Sequence, residues 1–353
     1  MRASLRLPGS AETRCLGIGE DGSWVEAADV DGPELGSGMW ALPGLVDAHA
    51  HLAADTLVME GGRSPDIRRR AYACLDNGTF LIIDKGWRDT TVIATLANRP
   101  PQEAPDLEGA GRMIATAEGY YPGFAVETDS AGLELAVAEA VAEGLGWVKL
   151  VGDWPRRGRG AVANFGHHDL VTAVDVAHRG GARVSIHTMA PEVASVAVAA
   201  GVDSIEHGLF LTGSDLESLA ARGGAWVPTL LRMRAVADSL GAESSGRALI
   251  EAGIANVAEL LPDAPEGVFI LAGTDLVTPS GRVGQEVMAL VAAGLSPRRA
   301  VDAVSTAARR YLDRPAGFDL GARADAVFYP IDPIEDPAVL LRPAAVLRAG
   351  LQR

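Results

Sequence analysis

Two histidines one residue apart, His49 and His51, end an apolar stretch that reads ALPGLVDAHAHL from Ala41 to Leu52. Side chains repeat every two residues along a β-strand, so both imidazoles point to the same face of this strand. Two imidazoles that point the same way at a water-accessible strand end can chelate one divalent cation. The spacing therefore predicts part of a metal site, although an H-x-H pair alone is most often an ordinary surface or core feature.

Four more polar side chains follow apolar runs further along the chain: Lys149 in WVKLVG, His187 in VSIHT, His207 in SIEHG and Asp275 in LAGTD. Singly, each has a structural explanation, such as a bonded core imidazole, a helix N-cap aspartate or a snorkelling lysine. Their recurrence at successive strand ends favours one shared site, and four imidazoles with a carboxylate suit zinc or another first-row metal. Structural roles are expected for the remaining histidines, His167, His168 and His178.

The elements that must position these residues alternate between short apolar strands and Ala-rich helical stretches. Eight strand candidates, from WALPGLVDAHAH to GVFILAGTD, are near-continuous apolar runs, which is typical of parallel strands buried on both faces. Eight βα units over about 270 residues fit an α/β fold of the (β/α)8 TIM-barrel type, whose catalytic groups lie at the carboxyl ends of the strands. A doubly wound sheet is the alternative, but no glycine-rich dinucleotide turn follows the first strand.

Short strands separated by turn signals occupy both ends of the chain. We expect residues 1–43 and 320–353 to pair into one small β-sandwich subdomain, because the ends of a barrel lie close together. Residues 44–319 would then form the catalytic barrel.

Composition and charge exclude several classes of protein. The 353 residues are 48% hydrophobic, and the formal net charge is -15 with no basic block, which argues against a nucleic-acid partner. Cys15 and Cys74 have no metal or redox spacing, which favours a reducing compartment. The sequence begins without an apolar signal-peptide core, and no apolar run reaches the ~20 residues of a membrane helix. We therefore expect a cytoplasmic protein with a small-molecule substrate and no membrane partner.

Lys149 presents a chemical difficulty, because an ammonium group has three donors and no acceptor and cannot ligate a metal. The segments that surround the candidate ligands resemble the amidohydrolase superfamily. They are LPGLVDAHAHL, WVKLVGD, VSIHT, GVDSIEHG, VPTLL, AGTD, GLSPRRAVDAVSTAARRYL and GARADAVFYPIDPIEDP, and the resemblance covers nearly the whole chain. Within the superfamily the chain most resembles the imidazolonepropionase-like and metal-dependent dipeptidase (prolidase-like) branch.

The resemblance implies a binuclear centre with two divalent metal ions, of which zinc is the expected one, and a strand-four lysine carboxylated by CO2. The implied ligands are His49, His51 and Asp275 for one metal, His187 and His207 for the other, and carboxylated Lys149 as the bridge. A shared water would become hydroxide near neutral pH and attack a carbonyl carbon, and Asp275 would pass its proton to the leaving nitrogen. The implied activity is hydrolysis of an amide or related C–N bond in a dipeptide, an N-acyl amino acid or a cyclic amide.

Other functions remain open at this point. A mononuclear deaminase of the superfamily would carry a glutamate shortly after the strand-five histidine, and in HTMAPEV the glutamate, Glu192, is displaced. A lactonase or esterase would use the same hydroxide. From other classes, Lys149 could serve a Schiff-base aldolase as its nucleophile, or the metal could only stabilise a non-catalytic scaffold. A homo-oligomer is expected only by analogy with the family.

The loops GYYPGF and GDWPRRGRG follow strands three and four and are candidate substrate walls. Flat contact area would come from Tyr120, Tyr121 and Trp154, and a substrate carboxylate could bind Arg156, Arg157, Arg159, Arg232 or Arg234. A solvated loop without a binding role is an equally good interpretation. If the loop binds, Arg156→Ala raises KM for a substrate with an acidic tail.

Overall fold

The computed structural model describes residues 1–54, 65–156, 158–276 and 280–353. The strands in these ranges are β1 (Arg2–Arg6), β2 (Thr13–Ile18), β3 (Trp24–Glu26), β4 (Glu34–Leu35), β5 (Trp40–Leu42), β6 (Leu45–Ala50), β7 (Thr79–Asp84), β8 (Asp106–Gly109), β9 (Met113–Ala115), β10 (Ala125–Glu127), β11 (Trp147–Val151), β12 (Asp153–Arg156), β13 (Gly160–Ala163), β14 (Arg183–Thr188), β15 (Ser204–His207), β16 (Ala225–Val227), β17 (Phe269–Ile270), β18 (Ala326–Tyr329), β19 (Ala345–Arg348) and β20 (Leu351–Gln352).

The α-helices in the same ranges are α1 (Ile67–Asp76), α2 (Thr91–Leu96), α3 (Leu133–Glu143), α4 (His167–Arg179), α5 (Val193–Ala199), α6 (Gly213–Arg222), α7 (Leu230–Ser239), α8 (Ser245–Leu260), α9 (Gly284–Ala292), α10 (Pro297–Asp302) and α11 (Thr306–Tyr311), with short 3-10 helices at Ala27–Asp29 and Pro337–Leu341. Within the described parts of the chain, none of these helices has the length and apolar character that a membrane crossing needs.

Parallel strands form a seven-stranded sheet in the order β10-β9-β11-β14-β15-β16-β17 and a three-stranded sheet in the order β6-β7-β8. Backbone hydrogen bonds connect the two sheets at both edges, since Leu145 N donates to Gly109 O and Asp275 N donates to His49 O. The α/β class that the alternating pattern predicts is confirmed. Closure of the strands into one complete barrel stays a prediction.

The helices cover the parallel strands through their apolar faces. In α3 the buried side chains include Leu133 and Val137, and in α4 they include Leu170 and Val174. These side chains belong to one core cluster with Ile186 of β14, which is fully buried. Burial on both faces explains why the strands read as near-continuous apolar runs.

Both ends of the chain contribute to a separate, mostly antiparallel eight-stranded sheet in the order β20-β19-β18-β5-β1-β2-β3, in which β4 also pairs with β1. Val327 of β18 lies opposite Leu42 of β5, so the two ends meet at this pairing. Trp24, Phe318 and Phe328 pack in a core cluster of their own. The sandwich form and the boundaries 1–43, 44–319 and 320–353 remain predictions.

Two strands differ in extent from their sequence patterns. The third strand is interrupted and forms β8 and β9, and the eighth contains only Phe269–Ile270 in regular pairing. A Cβ on Gly109 would lie 2.2 Å from Asp84 O, so the chain passes too close to β7 there for a side chain. The residues after β17 make single backbone hydrogen bonds to β6 without regular strand pairing; for example, Ala48 N of β6 donates to Ala272 O.

Candidate metal centre

His49 and His51 lie on β6 and point the same way, with their Nε2 atoms 3.3 Å apart. Each Nδ1 faces an acceptor, because His51 Nδ1 lies 2.8 Å from Gly86 O and His49 Nδ1 lies 2.6 Å from Glu206 Oε2. A carbonyl oxygen only accepts, so His51 carries its proton on Nδ1 and a lone pair on Nε2. The same argument holds for His49 beside an ionised carboxylate, so two lone pairs face each other across a gap that suits a cation.

Asp275 completes this first group of ligands. Its Oδ1 lies 3.7 Å from His49 Nε2 and 3.6 Å from His51 Nε2, and one ligand atom from each of the three residues falls within 4.8 Å of the others. Burial acts to raise the pKa of Asp275, but its contacts with His49 and His51 and the charges of Arg232 and Lys149 hold it below its ordinary value. An ionised carboxylate between two imidazoles is a suitable ligand set for zinc.

His187 and His207 form a second pair, with His187 Nδ1 2.9 Å from His207 Nε2. His207 Nδ1 lies 2.6 Å from Thr229 Oγ1, whose hydroxyl donates to Pro228 O, so the hydroxyl accepts the imidazole proton. Burial lowers the pKa of His187 to about 3, and the Lys149 charge adds to this effect. Burial also lowers the pKa of His207 well below its ordinary value, so both imidazoles are neutral at neutral pH, as metal binding requires. The His207 ring also lies 5.4 Å from the His49 ring, so the two pairs adjoin.

Lys149 lies on β11 and is 2% exposed. Its Nζ has no hydrogen-bond partner among the residues that the structure describes. Burial lowers its pKa to about 8, Glu206 and Asp275 oppose this shift, and Lys85 adds to it. A buried ammonium without a hydrogen-bond acceptor is costly, so the amine is placed either to lose its proton or to be modified.

Three residues at or beyond the carboxyl ends of neighbouring strands β15, β16 and β17 have a left-handed backbone. The φ angles are 64° at His207, 47° at Thr229 and 51° at Asp275. A residue other than glycine in this region costs of order 1–3 kcal/mol, and such strain clusters at functional sites. Two of these three residues, His207 and Asp275, are ligand candidates, and the third, Thr229, contacts His207, which supports a functional role for this edge of the sheets.

The aromatic substrate candidates lie together beside the second histidine pair. The Trp154 ring is 4.6 Å from Tyr120, 4.8 Å from Tyr121 and 5.9 Å from His187, measured between ring centroids. Burial and the Asp275 charge raise the pKa of the Tyr120 hydroxyl. These rings form a wall next to the candidate metal ligands, which we call the aromatic wall.

The arginine candidates separate into different environments. Arg232 Nε lies 3.8 Å from Asp275 Oδ2, whereas Arg156 Nη2 donates to Thr116 Oγ1 at 2.7 Å and Asn164 Oδ1 at 3.0 Å. Arg159 and Arg234 are exposed, and Arg157 lies outside the described residues. Of the described arginines, Arg232 is the one whose ion-pair distance places it at the candidate ligands.

The sequence interpretation missed several polar residues that hold the ligands in place. Asp47 Oδ1 accepts from the backbone N–H of His49 and Thr274, and Lys85 lies beside Glu206. Two signals could have revealed them. Asp47 has the same period-two spacing as the histidines, and Lys85 ends an apolar run, TFLIIDK, in the same way as the predicted ligands do.

Comparison with known sequences identifies the family. The model of the amidohydrolase family matches residues 40–350 of the chain. An uncharacterized protein of Mycobacterium tuberculosis (strain ATCC 25618 / H37Rv) is 37% identical over 325 residues, which cover 89% of this chain and 85% of that protein.

Solved structures of similar fold include prolidase-like amidohydrolases. A Xaa-Pro dipeptidase with bound methionine has a TM-score of 0.81 and 19% identity, with full coverage of both chains. A prolidase complexed with N-methylphosphonate-L-proline has a TM-score of 0.81 at 19% identity over 100% of this chain and 99% of that one. A. niger ochratoxinase has a TM-score of 0.77 at 18% identity, covering 99% and 95%. The chain therefore belongs to the amidohydrolase family and is a hydrolase.

Proposed function

We propose that this enzyme uses two divalent metal ions, with zinc as the expected metal, to hydrolyse an amide bond of a small molecule in the manner of the prolidase-like branch. The observation that carries the proposal is the pair of Nε2 atoms 3.3 Å apart on His49 and His51, each with its Nδ1 facing an acceptor. Two unprotonated nitrogens at that distance repel each other unless a cation lies between them. Asp275 adds the carboxylate that such a cation needs.

His49, His51 and Asp275 would hold one ion and His187 and His207 the other, and a carbamate on Lys149 would supply anionic oxygen ligands. The buried Nζ of Lys149 has no hydrogen-bond partner among the described residues, and this supports the carbamate, because carboxylation would replace an isolated cation with an anion that has two acceptor oxygens. We also propose the closed (β/α)8 barrel and the terminal β-sandwich, and the bonds from β6 to Ala272 and Asp275 support closure.

When bound, the metal ions would lower the pKa of water and polarise the substrate carbonyl. Asp275 is held ionised by its neighbours and can take a proton from the attacking water. The same carboxyl group can then deliver that proton to the leaving nitrogen. A 9% exposed side chain keeps this proton away from bulk solvent during the transfer.

The substrate class follows from what surrounds the ligands. The aromatic wall of Tyr120, Tyr121 and Trp154 offers apolar contact area, and Arg232 offers a guanidinium group for a carboxylate. An N-acyl amino acid or a dipeptide with an apolar side chain has both features. The dipeptidase and prolidase among the similar structures are consistent with this choice.

The proposal is tested by metal analysis followed by a hydrolysis screen against dipeptides, N-acyl amino acids, esters and lactones. We expect about two metal equivalents per chain and turnover of amides that carry a free carboxylate. One equivalent would favour the mononuclear deaminase, and esters or lactones turned over in preference to amides would favour an esterase or lactonase. Borohydride trapping of a carbonyl compound on Lys149 would favour the aldolase instead.

Variants of the two proposed catalytic residues provide the matched test. Lys149→Ala and Asp275→Asn should abolish hydrolysis while circular dichroism shows that the fold is retained. Full activity in either variant would contradict the role given to that residue.

A further inference from the structure

Glu206 occupies an unusual place on β15, because it directly precedes the ligand candidate His207 and yet reaches the same site. Successive side chains of a regular strand point to opposite faces. The left-handed φ of 64° at His207 breaks this alternation, so both side chains can face the candidate centre. Glu206 contacts His49 there, and the His49 and His207 rings are 5.4 Å apart.

Three groups surround the Glu206 carboxylate, which is fully buried. Its Oε2 accepts from His49 Nδ1 at 2.6 Å, and its Oε1 accepts from Ser204 Oγ at 2.7 Å. Its Oε1 also lies 2.9 Å from Lys85 Nζ in an ion pair. Lys85 is fully buried as well, and its Nζ lies 4.4 Å from the centre of the Trp147 ring.

A buried ion pair of this kind contributes little to stability, since the desolvation of both charges offsets their attraction. Two apolar side chains of similar volume would fill the same space. The stability of the fold therefore does not explain why this pair is present. The second carboxylate oxygen, Oε2, which is not the oxygen paired with Lys85, suggests another role. That oxygen accepts the proton of an imidazole whose other nitrogen faces His51 and Asp275.

We propose that Glu206, held in place by Lys85, is a positioning residue that fixes the tautomer and orientation of His49 for metal binding. An ionised carboxylate has no proton to give, so the proton of His49 stays on Nδ1 and the Nε2 lone pair stays directed at the metal position. His51 obtains the same fixation from Gly86 O. The inference rests on the proposed metal-dependent function and adds two fully buried residues that act through His49.

Two double variants separate a positioning role from a structural one. Lys85→Met with Glu206→Leu removes both charges and the acceptor of His49, whereas Lys85→Met with Glu206→Gln removes both charges but keeps an amide oxygen that can accept. Zinc affinity is measured by competition with a chromophoric chelator, and thermal unfolding is followed in parallel. We expect roughly 10–100-fold weaker zinc binding in the Leu variant and recovery of most of that loss in the Gln variant.

A buried ion pair in the terminal sheet provides the control. Arg348 Nη1 lies 2.7 Å from Asp325 Oδ2, and Asp325→Asn should lower the unfolding temperature without changing zinc affinity. Equal zinc affinity in the wild type and the Leu variant overturns the inference and leaves the proposed function intact. Equal losses in the Leu and Gln variants also overturn it. A wild-type protein that binds no zinc overturns both.

The tautomer of His49 can also be observed in the wild type, and this measurement does not need the Lys85 and Glu206 variants to fold. Long-range ¹H–¹⁵N spectra of the metal-free protein, with the His49 signal assigned through its loss in His49→Asn, should show the proton on Nδ1. A proton on Nε2 of His49 contradicts the inference.

Discussion

Three of the four imidazoles of the candidate centre are oriented by an oxygen acceptor at Nδ1. Gly86 O faces His51 Nδ1, Glu206 faces His49 Nδ1, and Thr229 Oγ1 faces His207 Nδ1. Each acceptor determines which ring nitrogen carries a lone pair. At the scale of single residues, the proposed binding of metal therefore depends on these acceptors as much as on the histidines.

Arg232 allows a prediction about substrate recognition. Its Nε is 3.8 Å from Asp275 Oδ2, which is beyond hydrogen-bonding distance, so its side chain can turn to a substrate carboxylate. We expect Arg232→Ala to raise KM for N-acyl amino acids by roughly 10–100-fold, the value of one charged hydrogen bond. Initial rates with each substrate and its C-terminal amide provide the measurement.

The control for this prediction is Arg234→Ala, because Arg234 lies on the same helix, α7, and is exposed. An Arg232 variant with the same KM ratio between acid and amide as the wild type would remove this residue from substrate binding.

The sequence predicts the candidate ligands because each follows an apolar run, but it does not reveal Glu206 as a neighbour of His49. An alternating strand directs Glu206 away from the face that His207 occupies. The left-handed backbone at His207 reverses that expectation, and no residue type in SIEHG signals it. Short motifs therefore indicate the ligands, whereas their acceptors depend on backbone geometry.

At the scale of elements, the segment after β17 connects the two parallel sheets. Ala48 N donates to Ala272 O, and Asp275 N donates to His49 O. The pattern GVFILAGTD predicts a full strand, yet regular pairing ends at Ile270. The difference between the predicted and observed strand lengths has a steric cause, because the backbone at Gly273 lies directly against His49 of β6.

Gly273 therefore gives a prediction about packing. A Cβ at this position would lie 2.5 Å from His49 Cβ and 2.9 Å from His49 N, so Gly273→Ala must displace either its own segment or the strand β6 that carries His49. We expect a loss of about 1–3 kcal/mol in unfolding free energy, together with weaker zinc binding. Urea unfolding and chelator competition measure the two effects.

Gly213→Ala is the matched control, because a Cβ there meets nothing within 4 Å and Gly213 begins α6. That variant should keep full zinc affinity and unchanged or slightly higher stability. Equal unfolding free energies and equal zinc affinities in the two variants would show that the close contact at Gly273 constrains neither stability nor metal binding.

A second prediction about the helices concerns Glu286 of α9, which forms hydrogen bonds with the first residues of α7. Its carboxyl oxygens accept from the backbone N–H groups of Leu230 at 2.5 Å and Leu231 at 3.1 Å. Burial raises its pKa from 4.5 to about 8; the two N–H groups and Arg234 oppose this shift, and Asp47 adds to it. The folded protein therefore holds a proton that the unfolded chain releases, so this contribution to stability is complete below pH 4.5 and is lost as the pH rises to about 8.

Glu286→Gln mimics the protonated acid at every pH. Relative to the wild type, its unfolding free energy should rise by up to about 1.4 kcal/mol per pH unit within that window. Urea midpoints at several pH values measure the difference between the two proteins. A difference that stays constant with pH would show that Glu286 is ionised throughout.

At the scale of the whole molecule, the proposed ligands come from both parallel sheets. His49 and His51 lie on β6 of the three-stranded sheet, whereas His187 and His207 lie on β14 and β15 of the seven-stranded sheet. The alternating pattern predicts the class of fold and this common edge, because each parallel strand contributes its carboxyl end. It cannot predict the interruption of strand three, which depends on the close approach of Gly109 to Asp84.

Because the ligands bridge two sheets, metal binding should stabilise the entire fold. A ligand present at 100 times its Kd adds about 2.7 kcal/mol to the folded state. For a chain of this length we expect an increase of roughly 3–4 °C in unfolding temperature when zinc is restored to chelator-treated enzyme. Differential scanning calorimetry of the wild type and of Asp275→Asn measures the effect, which should shrink in the variant. Identical transitions with and without zinc in the wild type would show that the two sheets are joined without help from a metal.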